Sequence, residues 1–154
     1  MMRKCYYFAY GSNMLPEQMH SRCRDAVKVG SATLHGWRFL INQRGVATIR
    51  KDASAICRGG VWKISRGDEW ALDQYEGVGT GHYAKALLPV QLRNGRFVDA
   101  LTYIDRRVQR DTPREGYLLR VLGGAVHFKL PNDYLEELIS WASESDIEAW
   151  RMDA

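Results

Sequence analysis

A two-residue turn signal in the second half of the chain constrains the fold most strongly. Both residues of the pair Asn94-Gly95 readily adopt positive φ, and such pairs join neighbouring antiparallel strands. The flanking segments, 83–92 and 96–104, are strand-like in composition. The sequence therefore predicts a β-hairpin over 83–104, in which these two segments are direct neighbours in a sheet.

Further strands are predicted where short apolar runs stop at glycine or polar residues: 6–11, 31–42 with an interruption at Gly36, 46–50 and 60–64. The predicted helices are too few and too unevenly placed to alternate with every strand. This order favours an α+β fold over a doubly wound sheet. A chain of 154 residues fits a single domain. We therefore expect one domain over 1–154, built as a closed or nearly closed small barrel with helices at its side.

Helix signals lie between and after these strands. A short helix is expected over 14–23. Ser65 is a helix-capping residue followed by acidic side chains, and Gly77 is a typical helix stop. This pattern places Glu76 in or near the last turn of the helix.

Two more helices are predicted near the C-terminal end of the sequence. Thr112 with Pro113 and Glu115 has the pattern of a capping box, and Gly123-Gly124 is expected to end that helix. Pro131 begins a last helix, whose apolar residues recur at helical spacing up to Trp141.

Composition excludes several classes of function and location. The net charge is +4, but the basic residues are scattered and the aromatic residues fall at core spacings, which argues against a nucleic-acid partner. Three cysteines and four histidines show no metal-ligand spacing, so no metal or cofactor is expected. No apolar stretch suits a signal peptide or a membrane span. We expect a cytoplasmic protein without a membrane partner.

The first segment that could carry chemistry is the end of the first strand. At Gly11-Ser12-Asn13, glycine allows a ligand to approach the main chain closely. Successive free backbone N–H groups at such a turn can bind an anion or a developing oxyanion. The alternative is a plain turn in which Ser12 or Asn13 caps the next helix.

The second segment is centred on Glu76, a carboxylate between Tyr75 and a glycine-rich turn. The negative end of a helix disfavours the ionised carboxylate, and burial beside Tyr75 and Val78 raises the pKa in the same direction. A raised pKa suits a group that accepts and returns a proton near neutral pH. The alternative is a solvated glutamate at a helix end.

Together the two segments resemble the γ-glutamylcyclotransferase family, which includes the AIG2-like proteins. The opening motif of that family, aromatic-x-Tyr-Gly-Ser-Asn, is matched by Phe8-Ala9-Tyr10-Gly11-Ser12-Asn13. Its catalytic motif, Leu-Asp-x-x-Glu-Gly-Val-x-x-Gly-x-Tyr, is matched by residues 72–83. The resemblance extends from about residue 7 to about residue 140, and it implies a small mixed β-barrel with flanking α-helices.

The resemblance also implies a reaction that needs no cofactor. Glu76 would take a proton from the α-ammonium of a γ-glutamyl substrate, and the freed amine would attack the γ-carbonyl of the same molecule. The products would be 5-oxoproline and an amine or amino acid. Backbone N–H groups of Gly11 and Ser12 would hold the oxyanion, and Tyr117 would close over the substrate. The implied substrate-binding residues are Tyr7, Phe8, Ala9, Tyr10, Gly11, Ser12 and Tyr117.

Several choices stay open at this point. Asn13 stands where the glutathione-specific branch usually has leucine, which favours the branch acting on γ-glutamyl amino acids. A tailoring enzyme that removes a γ-glutamyl group from a specialised metabolite is an alternative, and so is a non-catalytic small-molecule-binding module on the same barrel. Arg44 and Lys85 are candidates for binding the substrate carboxylates. The exposed faces of the last helix could pair two copies in a homodimer.

Overall fold

The computed structural model describes residues 4–153 and contains a closed five-stranded barrel. Its strands are β1 (Lys4–Ala9), β2 (Val27–Ile41), β3 (Ala47–Ser65), β4 (Ala84–Leu92) and β5 (Phe97–Ile104). The order around the barrel is β1-β3-β2-β4-β5. Strands β1 and β5 are parallel and the other pairs are antiparallel, so the barrel is mixed. The predicted fold class is confirmed.

Within residues 4–153, five helices and two short 3-10 turns connect and cover the strands. The helices are α1 (Pro16–Arg22), α2 (Arg66–Tyr75), α3 (Tyr117–His127), α4 (Asn132–Ile139) and α5 (Glu144–Asp153). The 3-10 turns are Ser12–Met14 and Val78–Thr80. None of the helices in the described part of the chain is long and apolar enough to cross a membrane.

The local signals for the hairpin and for α2 predict the structure correctly. β4 and β5 pair from Ala84↔Ile104 to Gln91↔Phe97. At the start of α2, the Asp68 N–H donates to Ser65 Oγ over 3.1 Å, and the Ser65 N–H donates to Asp68 Oδ2 over 3.1 Å. This reciprocal cap fixes where α2 begins. Gly77 follows the helix at φ 63°, a backbone conformation that favours glycine.

The separate strands expected at 46–50 and 60–64 are wrong, because both belong to the single strand β3. Between them, Lys51 and residues 56–59 also pair with β2, which extends further than expected. Register shifts in this pairing lie between Lys28 and Gly30 and between His35 and Trp37, so the predicted interruption at Gly36 is an irregularity inside one long strand.

The predicted start of α3 at Thr112 is also wrong. The helix begins at Tyr117 after Gly116, with no side-chain cap. The residues before Tyr117 instead form hydrogen bonds to the end of β2 and to the loop that follows it. The Asp111 N–H donates to the Ile41 carbonyl over 3.0 Å, and the Arg114 N–H donates to the Gly45 carbonyl over 2.9 Å. These tertiary hydrogen bonds outweigh the local capping pattern.

Gly123 and Gly124 do not end α3 but lie inside it. A Cβ built on Gly124 would stand 2.3 Å from the Met14 Cβ and 2.7 Å from the Leu15 nitrogen. The glycines therefore let the helix backbone approach the turn after β1 closely, and this contact holds Tyr117 beside that turn.

The C-terminal region holds one helix more than the sequence predicts. α4 follows Pro131 as expected and ends at Ile139, before Trp141. α5 then follows, so α4 is not the last helix. The main core lies inside the barrel and beneath α3, and its largest fully buried side chains include Trp62, Phe8 and Met14.

Candidate active site

A cavity of about 210 Å³ opens where β1 runs into the first 3-10 turn. The turn 10–13 forms one side, Glu76 at the end of α2 forms another, and Tyr117 at the start of α3 forms a third. The carboxylate and the glycine turn identified in the sequence therefore face one cavity.

Glu76 as a whole residue is partly exposed, but its carboxylate lies in this cavity. Burial raises the pKa of Glu76 to about 7, while the charges of Arg22 and Arg44 and a hydrogen bond from Asn13 oppose the shift. Tyr75, which we expected to cover the carboxylate, is 59% exposed. The shift therefore arises mainly from the cavity and not from the preceding aromatic ring.

Asn13 connects the turn to the carboxylate. Its Nδ2 donates to Glu76 Oε1 over 3.3 Å and to the Tyr7 hydroxyl over 3.0 Å. Its Oδ1 accepts from Gln18 Nε2 and from Arg22 Nη1, each over 3.0 Å. Because the guanidinium of Arg22 can only donate, it fixes which way the amide faces. Asn13 is thus a bridge between the turn and Glu76.

Six tyrosines line the cavity, and five of them have hydroxyls that form hydrogen bonds within the described part of the chain, as donors or as acceptors. Those of Tyr10, Tyr83 and Tyr103 donate to protein oxygens: the carbonyl of Tyr103, the carbonyl of Ala47 and the carboxylate of Asp73. The hydroxyls of Tyr7 and Tyr117 accept hydrogen bonds, from Asn13 and from the Ala47 N–H, and donate to no residue in the described part of the chain. Two phenol protons are therefore left for a ligand.

The cavity is positively charged overall. Its lining contains four guanidinium groups, from Arg22, Arg44, Arg114 and Arg120, and a single carboxylate among the described residues, that of Glu76. Arg44 is paired with buried Asp105, at 2.8 Å from Nη1 to Oδ2. This charge balance suits a ligand that carries carboxylates of its own.

The residues predicted to bind substrate are not all placed alike. Tyr7, Tyr10, Gly11, Ser12 and Tyr117 line the cavity with Glu76, whereas Phe8 and Ala9 lie in the barrel core. Of the two basic candidates, Arg44 lines the cavity. Lys85 is instead paired with Glu69 and Asp73, at 2.6 and 3.0 Å.

Comparisons with known proteins show the family to which this architecture belongs. Residues 57–138 match the model of the AIG2-like family. The γ-glutamylcyclotransferase of Mus musculus is 30% identical over 142 residues, which cover 86% of this chain and 76% of the mouse protein. The γ-glutamylcyclotransferase of Homo sapiens is 29% identical over the same shares of the two chains.

The chain belongs to the AIG2-like, γ-glutamylcyclotransferase family.

Solved structures of similar proteins support the same membership. A structure titled as a γ-glutamyl cyclotransferase superposes with a TM-score of 0.86 at 25% identity, over 97% of this chain and 99% of the other. A human protein of solved structure superposes with a TM-score of 0.84 at 26% identity, over 95% and 97% of the two chains. The structural similarity to these proteins therefore extends over almost the whole chain.

The AIG2-like motifs identify the first side of the cavity, but not the residues that hold it in place. Arg22 and Gln18 lie on α1, outside both motifs, and both line the cavity and donate to Asn13 Oδ1. Arg114 and Arg120 come from the region around the start of α3. Their distance in sequence from Glu76 means that only the tertiary fold reveals them.

Proposed function

We propose that this chain is a γ-glutamylcyclotransferase in which Glu76 is the general base and then the general acid. One observation supports this more than any other: a carboxylate with a pKa of about 7 shares a cavity with the turn 10–12. A carboxylate of ordinary pKa is a weak base at neutral pH, whereas one near 7 can accept a proton and return it.

The proposed reaction begins with the α-ammonium group of a γ-glutamyl substrate beside Glu76. The carboxylate takes one proton from it, and the freed amine attacks the γ-carbonyl carbon of the same molecule. The carbonyl electron pair moves onto oxygen and a five-membered ring forms. Nucleophile and electrophile belong to one molecule, so the protein contributes mainly by holding the folded conformation.

Collapse of this intermediate completes the cycle. The oxygen re-forms its double bond, and the bond from the γ-carbon to the amine breaks. Glu76 gives its proton to the departing nitrogen, and the second proton of the ring nitrogen then passes through the carboxylate to the released amine. 5-Oxoproline and the protonated amine or amino acid leave, and the Glu76 carboxylate is regenerated. Backbone N–H groups of Gly11 and Ser12 are the proposed donors to the oxyanion, as at other turns where glycine exposes the main chain.

The charge of the cavity supports a substrate of this class. A γ-glutamyl group carries an α-carboxylate, and a departing amino acid carries a second one. Arg44 is held by Asp105 with one of its guanidinium nitrogens, and Arg114 and Arg120 also line the cavity. We propose that these three arginines bind the substrate carboxylates. The proposed role in glutathione metabolism has the same support, namely a positively charged cavity that suits a γ-glutamyl substrate with carboxylates.

A cytoplasmic location is part of the proposal. Its support is that Cys5, Cys23 and Cys57 are all free thiols, the usual condition in a reducing compartment.

The experiment is turnover of a panel of γ-glutamyl amino acids and glutathione, with 5-oxoproline as the measured product. We expect release from at least one substrate and a loss of about 10²-fold or more in Glu76→Gln, since the amide cannot carry the proton. Glu69→Gln is the matched control, because Glu69 lies on the same helix but pairs with Lys85 outside the cavity. Equal rates in Glu76→Gln and wild type would remove Glu76 from the mechanism.

The alternatives predict other results on the same panel. A non-catalytic binding module would bind a γ-glutamyl compound in the cavity, with no 5-oxoproline formed. A tailoring enzyme would leave the simple dipeptides unchanged and act only on a larger γ-glutamyl amide. The raised pKa of Glu76 favours catalysis over binding alone, because a binding site gains nothing from a proton-accepting carboxylate near neutral pH.

A further inference from the structure

The buried phenol of Tyr7 has a proton with no partner. The residue is 4% exposed, and its hydroxyl oxygen accepts from Asn13 Nδ2 over 3.0 Å. No residue within 4–153 accepts a hydrogen bond from it, although buried hydroxyls normally satisfy their donors. Tyr10, Tyr83 and Tyr103 around the same cavity all donate to the protein.

The orientation of the Asn13 side-chain amide is fixed by the groups that donate to its oxygen. Arg22 Nη1 and Gln18 Nε2 both donate to Asn13 Oδ1, so Nδ2 must face Tyr7 and Glu76. An amide nitrogen is a donor only, which means that Tyr7 can only accept there. The phenol proton is therefore turned away from Asn13, toward the remaining space around the hydroxyl.

The phenol proton of Tyr7 lies close to Glu76, the proposed base. One nitrogen, Asn13 Nδ2, lies within hydrogen-bond distance of both the Tyr7 hydroxyl and the Glu76 carboxylate. In the proposed reaction Glu76 exchanges protons with the attacking and the departing nitrogens. Both nitrogens are bonded to the carbon that bears the oxyanion, so a donor next to the base lies next to that oxygen.

We propose that Tyr7 is a catalytic hydrogen-bond donor to the oxyanion formed at the γ-carbonyl, held in this role by Arg22 and Gln18 through Asn13. The inference rests on the proposed function and adds a side-chain donor to the backbone N–H groups of the turn. Tyr7 keeps its proton throughout: burial and the nearby charge of Glu76 hold its pKa far above the usual value. The hydrogen bond strengthens as the carbonyl oxygen gains charge, and no bond to the phenol breaks.

Steady-state kinetics of Tyr7→Phe test the role. We expect kcat to fall by roughly 10²-fold with KM changed by less than about threefold, because loss of one oxyanion donor acts mainly on the transition state. Tyr134→Phe is the control. It also removes a buried hydroxyl, which contacts Cys57 Sγ away from this cavity, and it should leave kcat unchanged.

A second variant keeps the phenol and removes its freedom to donate. Asn13→Asp places a carboxylate oxygen where Nδ2 stands, and that oxygen would accept the Tyr7 proton. The new carboxylate also lies beside Glu76 and raises its pKa, so we expect kcat to fall at least as far as in Tyr7→Phe even at a pH above the titration of Glu76. Adding Tyr7→Phe to Asn13→Asp should lower kcat little further, because the new carboxylate already takes the phenol proton and its direct effect on Glu76 is the same in both proteins.

The outcomes separate this inference from the proposed function. If wild type releases no 5-oxoproline from any substrate, the proposed function fails and the role of Tyr7 fails with it. If wild type turns over and Tyr7→Phe keeps its kcat, or loses only affinity, the inference alone is overturned. A Tyr7→Phe protein that is active but melts well below Tyr134→Phe, with kcat recovered at low temperature, would reduce Tyr7 to a structural role.

Discussion

Asp105 and Glu76 are two carboxylates with opposite pKa shifts. Asp105 is paired with Arg44, whereas Glu76 lines the cavity and is affected by the Arg44 charge only at longer range. Asp105 is 0% exposed, and it accepts from Arg44 Nη1 over 2.8 Å and from the Arg107 backbone and side chain over 3.0 and 2.9 Å. Burial alone would raise the pKa of Asp105, but these hydrogen bonds overcome it and lower the pKa.

For Glu76 the balance between burial and hydrogen bonding is reversed. Glu76 accepts one hydrogen bond, from the neutral amide of Asn13, and its guanidinium neighbours act on it only at longer range. Burial therefore dominates, and the pKa rises to about 7. The difference shows that the number and charge of donors decide whether a buried carboxylate is a fixed anion or a carrier of protons.

The largest expected effect concerns stability: Glu76→Gln should raise the free energy of unfolding. The folded-state pKa of Glu76 lies above the unfolded value of 4.5, so the folded protein holds the proton more tightly and this stabilisation is lost as pH rises through about 7. A glutamine avoids that loss. We expect urea unfolding to show little difference from wild type at pH 4 and a gain of about 2–3 kcal/mol at pH 8.

A gain of equal size at both pH values would contradict this explanation, because it would have to come from packing and not from the buried charge.

The corresponding substitution of the second carboxylate, Asp105→Asn, should lower the free energy of unfolding. The pKa of Asp105 is lowered in the folded state, so its stabilisation is present at neutral pH and is lost as pH falls. We expect a loss of roughly 2 kcal/mol at pH 7, since Arg44 loses its charged partner but keeps partial access to water. Asp99→Asn, an exposed change on β5, is the control and should be near neutral. A stabilised Asp105→Asn would end the contrast.

The smallest effect is expected from the guanidinium of Arg22, whose charge lowers the pKa of Glu76. In wild type kcat/KM should fall below an apparent pKa near 7, because the base must be unprotonated to begin the reaction. Arg22→Gln should move that pKa upward by roughly half a unit. Arg22→Lys keeps the charge and should restore the wild-type profile. An unmoved profile in Arg22→Gln would show that Arg22 acts only on the geometry of Asn13.

Local chemistry made part of this structure predictable. The cap at Ser65 and Asp68, the hairpin at Asn94-Gly95 and the stop at Gly77 each depend on residues close in sequence, and each appears as expected. The pattern around Thr112 was just as clear and was wrong. Its backbone hydrogen bonds to Ile41 and Gly45, some 70 residues away, and no local pattern reports such a pairing.

The site divides in the same way. The two motifs point to Glu76 and to the turn. The pKa of Glu76 is raised as predicted, but the burial that raises it comes from the cavity and not from Tyr75 beside it in the sequence. The roles of Arg22 and Gln18 depend on how α1 packs against Asn13, and those of Arg114 and Arg120 on where the loop before α3 lies. Such contacts arise from the closed barrel, so the sequence pattern alone does not contain them.

The contact of Gly124 with Met14 limits how proteins of this shape can diversify. Any larger residue at Gly124 would push the backbone of α3 away from the turn, and Tyr117, on the same helix, would move with it. The fold should therefore tolerate few substitutions along this seam and more at Arg114 and Arg120, which line the cavity. An engineer who wishes to broaden the range of accepted amines would do best to randomise Arg114 and Arg120 and to leave the seam unaltered.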